Sequence, residues 1–123
     1  MRLLVCGPRD CTVRDAVWAA IDSLVGEYLG DGLPDVLING CASGADSLAA
    51  GWAKTHAVPI VKFPADWRRY GRAAGPIRNQ QMLEAGRPTH VLAIQPFDQT
   101  TPGTQDMIRR ARKAGVLVRV VEV

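Results

Sequence analysis

Two carboxylates, a set of arginines and an aromatic pair are the side chains here best suited to a charged, ring-bearing ligand. Asp46 closes the stretch Asn39-Gly-Cys-Ala-Ser-Gly-Ala-Asp46, which also holds Ser43 and Gly44, and Asp106 closes the polar stretch 100–106 that begins at Thr100. Glycine lets the backbone turn sharply and lets a ligand approach the main-chain amides, and N–H groups at a helix start attract anions. A carboxylate beside such a cradle can orient a ribose hydroxyl. Arg9 and Arg78 offer charge for a phosphate. Trp67 and Tyr70 lie among Arg68, Arg69 and Arg72, where a ring can stack on a base while guanidinium groups neutralise phosphate. Plainer explanations stand beside these. A strand-to-helix turn uses the same small residues, acids in a first turn stabilise the helix dipole, and an aromatic loop can be packed down by its own rings.

These residues meet only if the elements between them bring their loops to one edge. Residues 2–6 form an apolar run that reads as a buried strand ending in Gly7-Pro8-Arg9-Asp10. Thr12 is placed to cap a helix whose apolar stripe is Val17, Ala20, Ile21, Leu24, Val25 and Tyr28. Val36 to Ile38 is a second strand, followed by a helix over about 45–55. Residues 59–63 make a third strand, 64–75 a long polar and aromatic loop, and Pro76 the first residue of a helix to about Ala85. Val91 to Ile94 is strand four. Thr104 then caps a helix carrying Met107, Ile108 and Ala111, and 116–123 is the last strand. Strict alternation predicts one α/β domain over 1–123: a Rossmann-like parallel sheet of about five strands with helices on both faces. In such sheets ligands bind at the carboxyl ends of the strands, which is where Arg9, Asp46, Trp67, Arg78 and Asp106 all fall.

At 123 residues and 47% hydrophobic composition the chain can bury one real core. No run approaches the roughly 20 apolar residues of a membrane span, and the first residues lead straight into a strand, so a cytoplasmic protein without membrane contact is expected. Three cysteines (Cys6, Cys11, Cys41) without ligand spacing argue for buried, unreactive thiols, with no metal and no cofactor. His56 and His90 fall at the opposite strand edge and are expected to be structural. Trp52 shares the stripe of Leu48 and Ala49 and belongs to the core. The formal charge of +3 fits phosphate-bearing partners, although the basic run 109–113 reads as a solvated face in the last turns of its helix.

The loops together resemble a known group, the YpsA-related branch of the SLOG superfamily, found in bacteria and their phages. Val5-Cys-Gly-Pro-Arg-Asp10 is similar to its opening motif, the 39–46 stretch to its Gly-x-Ala-x-Gly-Ala-Asp loop, and Phe63-Pro-Ala-Asp-Trp67 with Tyr70-Gly-Arg-Ala-Ala-Gly-Pro-Ile-Arg-Asn79 to its most specific run. The resemblance implies a nucleotide-derived ligand, such as a nucleoside phosphate, ADP-ribose or an NAD-like molecule. It would be held by Gly7, Arg9, Ser43, Gly44, Asp46, Trp67, Arg78, Asn79, Gly103 and Thr104. The superfamily also holds the "lonely guy" phosphoribohydrolases, and an N-glycosidic hydrolase would use Asp46 or Asp106 with Arg78 as its catalytic set. Against that, the loop before Asp106 lacks the paired glycines of those hydrolases. A third expectation, single-stranded nucleic acid binding, follows from Arg68, Arg69, Tyr70 and Arg72 and from the DNA-processing protein A relatives. Related proteins often pair, so a homo-oligomer is expected.

Overall fold

A computed structural model describes residues 1–97, 99 and 101–123; Thr100, named above as the start of a candidate loop, lies outside the described residues. The elements alternate as β1 (Arg2–Cys6), α1 (Arg14–Leu29), β2 (Val36–Asn39), α2 (Ala45–Thr55), β3 (Ile60–Lys62), α3 (Trp67–Tyr70), α4 (Ala74–Glu84), β4 (His90–Gln95), α5 (Pro102–Lys113) and β5 (Leu117–Glu122). All five strands are parallel, in the order β3-β2-β1-β4-β5. The strand order therefore reverses between β1 and β4, where Val5 pairs with Leu92 and Cys6 with Ala93.

Period-two alternation along β1 divides the core. Leu3 and Val5 face α1 and α2, packing with Val17, Ile21, Leu24, Ala49 and Trp52; Leu4 faces α4 and α5, packing with Met82, Leu83, Met107 and Ala111. Burying each of the large side chains contributes roughly 1.5–3 kcal/mol, enough to fix the register in which the loops meet. Trp52, 1% exposed, donates its indole N–H to Asp22 at 2.9 Å, so the one polar atom of the largest core residue has a partner. His56 stacks on Trp52 with ring centroids 4.3 Å apart, and His90 opens β4; both stand at the amino edge of the sheet.

Several local expectations change. Thr12 does not cap α1: Val13 occupies that position without a side-chain bond, and Thr12 contributes only its carbonyl, to Arg14 N–H at 3.0 Å. Tyr28 leaves the apolar stripe: it is 42% exposed and its ring meets His90 edge-on. The segment 64–75 is largely helical. Asp66 accepts the Arg69 N–H at 3.1 Å and starts α3, a 3-10 turn over Gly71–Ala73 follows, and α4 begins at Ala74, so Pro76 is its third residue rather than its first. Thr101, not Thr104, stands at the N-cap of α5, since Pro102 with its fixed φ and missing N–H takes the first helical position. No helix among the described residues is long and apolar enough to cross a membrane.

Candidate functional site

A cavity of about 650 Å³ opens at the carboxyl edge, over the β1/β4 reversal. Its size suits a drug-sized or nucleotide-sized ligand. Four stretches wall it: 6–10 after β1, Ala42 and Asp46 after β2, Trp67 through α4 after β3, and the start of α5 after β4.

The first two walls are clamped together by backbone. A Cβ on Gly7 would lie 2.7 Å from Ala45 Cβ and 2.9 Å from Ile94 Cβ, so only glycine lets β1 exit between α2 and β4. Gly44 has φ +70°, and a Cβ there would stand 2.3 Å from the Pro8 carbonyl oxygen. The Ala45 N–H donates to that same carbonyl at 3.0 Å, and Ser43 Oγ donates to Arg9 O at 3.0 Å. Ser43 and Gly44 consequently hold one loop against the other and stand outside the cavity lining, to which this loop contributes Ala42 and Asp46. The first N–H of α2 is therefore taken by Pro8, a partner 37 residues earlier that local pattern does not reveal.

Asp46 is 6% exposed, and its Oδ2 accepts the Ala42 N–H at 3.2 Å. Burial pushes its carboxyl up from the ordinary 3.8 to about 6, against the lowering pull of that N–H and of the Arg78 and Arg9 charges. Asn39 supports the same turn, donating to Asp46 O at 2.9 Å and accepting from Cys41 N–H at 2.6 Å. Arg78 reaches from α4 to donate to the Gly40 carbonyl, and its Nε donates to Asn79 Oδ1 at 3.2 Å. Cys6 also lines the cavity, but burial, reinforced by the Asp46 charge, pushes its thiol far above its usual range and keeps it protonated.

Asp106 sits differently from Asp46. It is 8% exposed and accepts from Asn79 Nδ2 at 3.0 Å, from Arg109 at 2.7 Å and from Arg110 Nε at 2.8 Å. Both carboxylate oxygens are thus engaged by cationic or amide donors. Gly103 and Thr104 line the cavity in the first turn of α5, where helical N–H groups have no acceptor within their own helix; the Thr104 hydroxyl accepts from Thr101 Oγ1 at 2.7 Å. Trp67 is 46% exposed at the rim, with the Arg9 guanidinium 4.8 Å from its ring centroid.

The cavity therefore gathers Gly7, Arg9, Asp46, Trp67, Arg78, Asn79, Gly103, Thr104 and Asp106. Arg109 and Met82 also line it and were not among the candidates. The signal for Arg109 was available: Asp106, Arg109 and Arg110 are spaced i, i+3 and i+4, the separation at which helical side chains pair. Among the described residues no cluster of three or more histidine, cysteine or acidic side chains could hold a metal ion.

An α/β protein with a five-stranded parallel sheet, its strand order reversed beneath an arginine-lined cavity, has a Rossmann-like fold. The chain belongs to the YspA, cpYpsA-related SLOG family, whose profile matches residues 1–70. It is also similar to the Gene 61 protein of Mycobacterium phage D29, at 34% identity over 122 residues covering 95% of this chain and 93% of that protein. No solved structure matches the chain. Membership in the family points to a nucleotide-related role, in ligand binding or in hydrolysis.

Proposed function

We propose that the protein binds a nucleotide-derived ligand, a nucleoside phosphate, ADP-ribose or an NAD-like molecule, in the strand-end cavity. The observation that carries this reading is the convergence of Arg9, Arg72, Arg78 and Arg109 with the first turn of α5 and a half-exposed indole in one cavity. Phosphate lies on Gly103 and Thr104 between Arg78 and Arg109, Asp46 orients a ribose hydroxyl, and the base stacks on Trp67 in place of the Arg9 guanidinium. Calorimetric titration with AMP, ADP-ribose and NAD tests it: saturable heat from at least one is expected, and no heat from any at millimolar concentration overturns it.

N-glycosidic hydrolysis is the second reading, supported by a buried cavity carboxylate with a raised proton affinity. Asp46 is the better candidate to face positive charge developing on a ribose, because Asp106 already neutralises two arginines. Release of free base from nucleoside monophosphates, lost in Asp46→Asn, is the expected result. Single-stranded nucleic acid binding is the third reading, supported by the exposed Arg68, Arg69, Tyr70 and Arg72. Such binding would weaken steeply with salt.

A further inference from the structure

Beside the strand-end cavity, between α4 and α5, lies a second hollow of about 510 Å³ lined by Gln80, Arg109, Arg110, Lys113 and Ala114. Arg109 lines both, so the two adjoin at that side chain. We propose that this groove is a second phosphoryl subsite, and that the ligand carries two separate phosphoryl groups, one held in the cavity and one beyond Arg109. The inference rests on the nucleotide-binding reading of the cavity and names its ligand class more narrowly.

Three observations carry it. First, the cations of the last turns of α5 do not simply face the carbonyls at its end. Helical side chains lean toward the N-terminus, and Arg109 and Arg110 both turn back by about one turn to Asp106, at 2.7 and 2.8 Å. Second, Arg110 is preorganised. Its Nε is held by Asp106 and another of its guanidinium nitrogens donates to Gln80 Oε1 at 3.0 Å, while Gln80 is itself oriented by donating to Glu84 at 2.9 Å. Two helices thus fix one guanidinium, which is 30% exposed, and little side-chain entropy remains to be lost when an anion arrives. Third, the charge is unbalanced: Arg109 and Arg110 pair with Asp106, the exposed Lys113 forms no ion pair among the described residues, and the one other carboxylate beside the groove, Glu84, accepts from Gln80. A planar guanidinium beside a flexible ammonium is suited to a tetrahedral oxyanion, which a nucleotide supplies as phosphate.

The test is calorimetry of AMP and of adenosine 3′,5′-bisphosphate against the full chain, against Lys113→Glu, and against Lys54→Glu. Lys54 is exposed in the last turn of α2, so its variant makes the same charge change away from the groove. The bisphosphate is expected to bind at least about tenfold more tightly than AMP to the wild type and to Lys54→Glu, about 1.4 kcal/mol. In Lys113→Glu that ratio falls to near one while AMP still binds saturably. Equal affinities in the wild type, or a preference that survives Lys113→Glu, or one lost equally in Lys54→Glu, overturns the second subsite while AMP binding leaves the cavity reading standing. Absence of binding by both nucleotides overturns the subsite and counts against the cavity reading as well.

Discussion

The side-chain amide of Asn79, buried in α4, donates to Asp106 Oδ2 of α5 at 3.0 Å and to the Gly103 carbonyl at 3.2 Å. One amide therefore joins two helices and sets where the first turn of α5 meets the cavity. Replacing it with leucine leaves a buried carboxylate short of a donor and a carbonyl without its partner. A loss of roughly 2–3 kcal/mol is expected for Asn79→Leu, read from urea unfolding midpoints. A loss below about half a kcal/mol would show that the bridge is dispensable.

Asp46 makes stability depend on pH in a stated direction. Its carboxyl titrates at about 6 in the folded chain against 3.8 ordinarily, so between those values the folded state binds the proton more tightly than the unfolded state. Its contribution is therefore full below pH 3.8 and is lost as pH rises through about 6. Asp46→Asn can still accept the Ala42 N–H but cannot ionise. Relative to wild type, the variant should gain on the order of 2–3 kcal/mol between pH 4 and pH 8. Unfolding curves of both proteins across that range check it, and a difference that does not change with pH contradicts the buried-carboxylate account.

Gly44 separates a clamp from a cradle. An alanine there places Cβ against the Pro8 carbonyl at a backbone φ of +70°, so Gly44→Ala should lower stability by about 2 kcal/mol or more. Ser43→Ala, which removes one exposed hydroxyl bond to Arg9, should cost less than about 1 kcal/mol. Thermal melts of the two variants give the comparison. Equal, small losses would reopen the turn as a ligand surface.

Trp67 offers an optical readout. It is half exposed and covered on one side by Arg9, so Trp67→Ala should lower folding stability by roughly 1–2 kcal/mol. A base stacked on the indole should make the same variant weaken nucleotide binding by about 1–3 kcal/mol. Quenching of indole emission in the wild type, absent from Trp67→Ala, reports contact. Unchanged affinity would move the base elsewhere in the cavity.

The alternation of short apolar runs with helical stripes was legible in the sequence, because periodicity is a property of neighbours. From it came the five parallel strands and the carboxyl edge as the place to look, and the 39–46 and 63–79 motifs marked which loops mattered. Capping at Thr12 and Thr104 was not legible, since several polar residues compete for one helix start and the winner depends on local backbone geometry. The two acids looked alike in sequence, each shortly after a glycine and read as a first-turn acid; in the structure Asp46 is one, while Asp106 lies beyond the first turn of α5 because that helix starts at Pro102. Only the tertiary structure distinguished them. Asp46 is desolvated between the Ala42 amide and nearby cationic charge, while Asp106 is engaged by Asn79 from another helix and by two arginines of its own. The same holds for Ser43 and Gly44, whose partners Pro8 and Arg9 lie 34 to 36 residues earlier in the chain. Chain-local pattern decides which elements form; desolvation and long-range hydrogen bonding decide what each polar residue is left free to do.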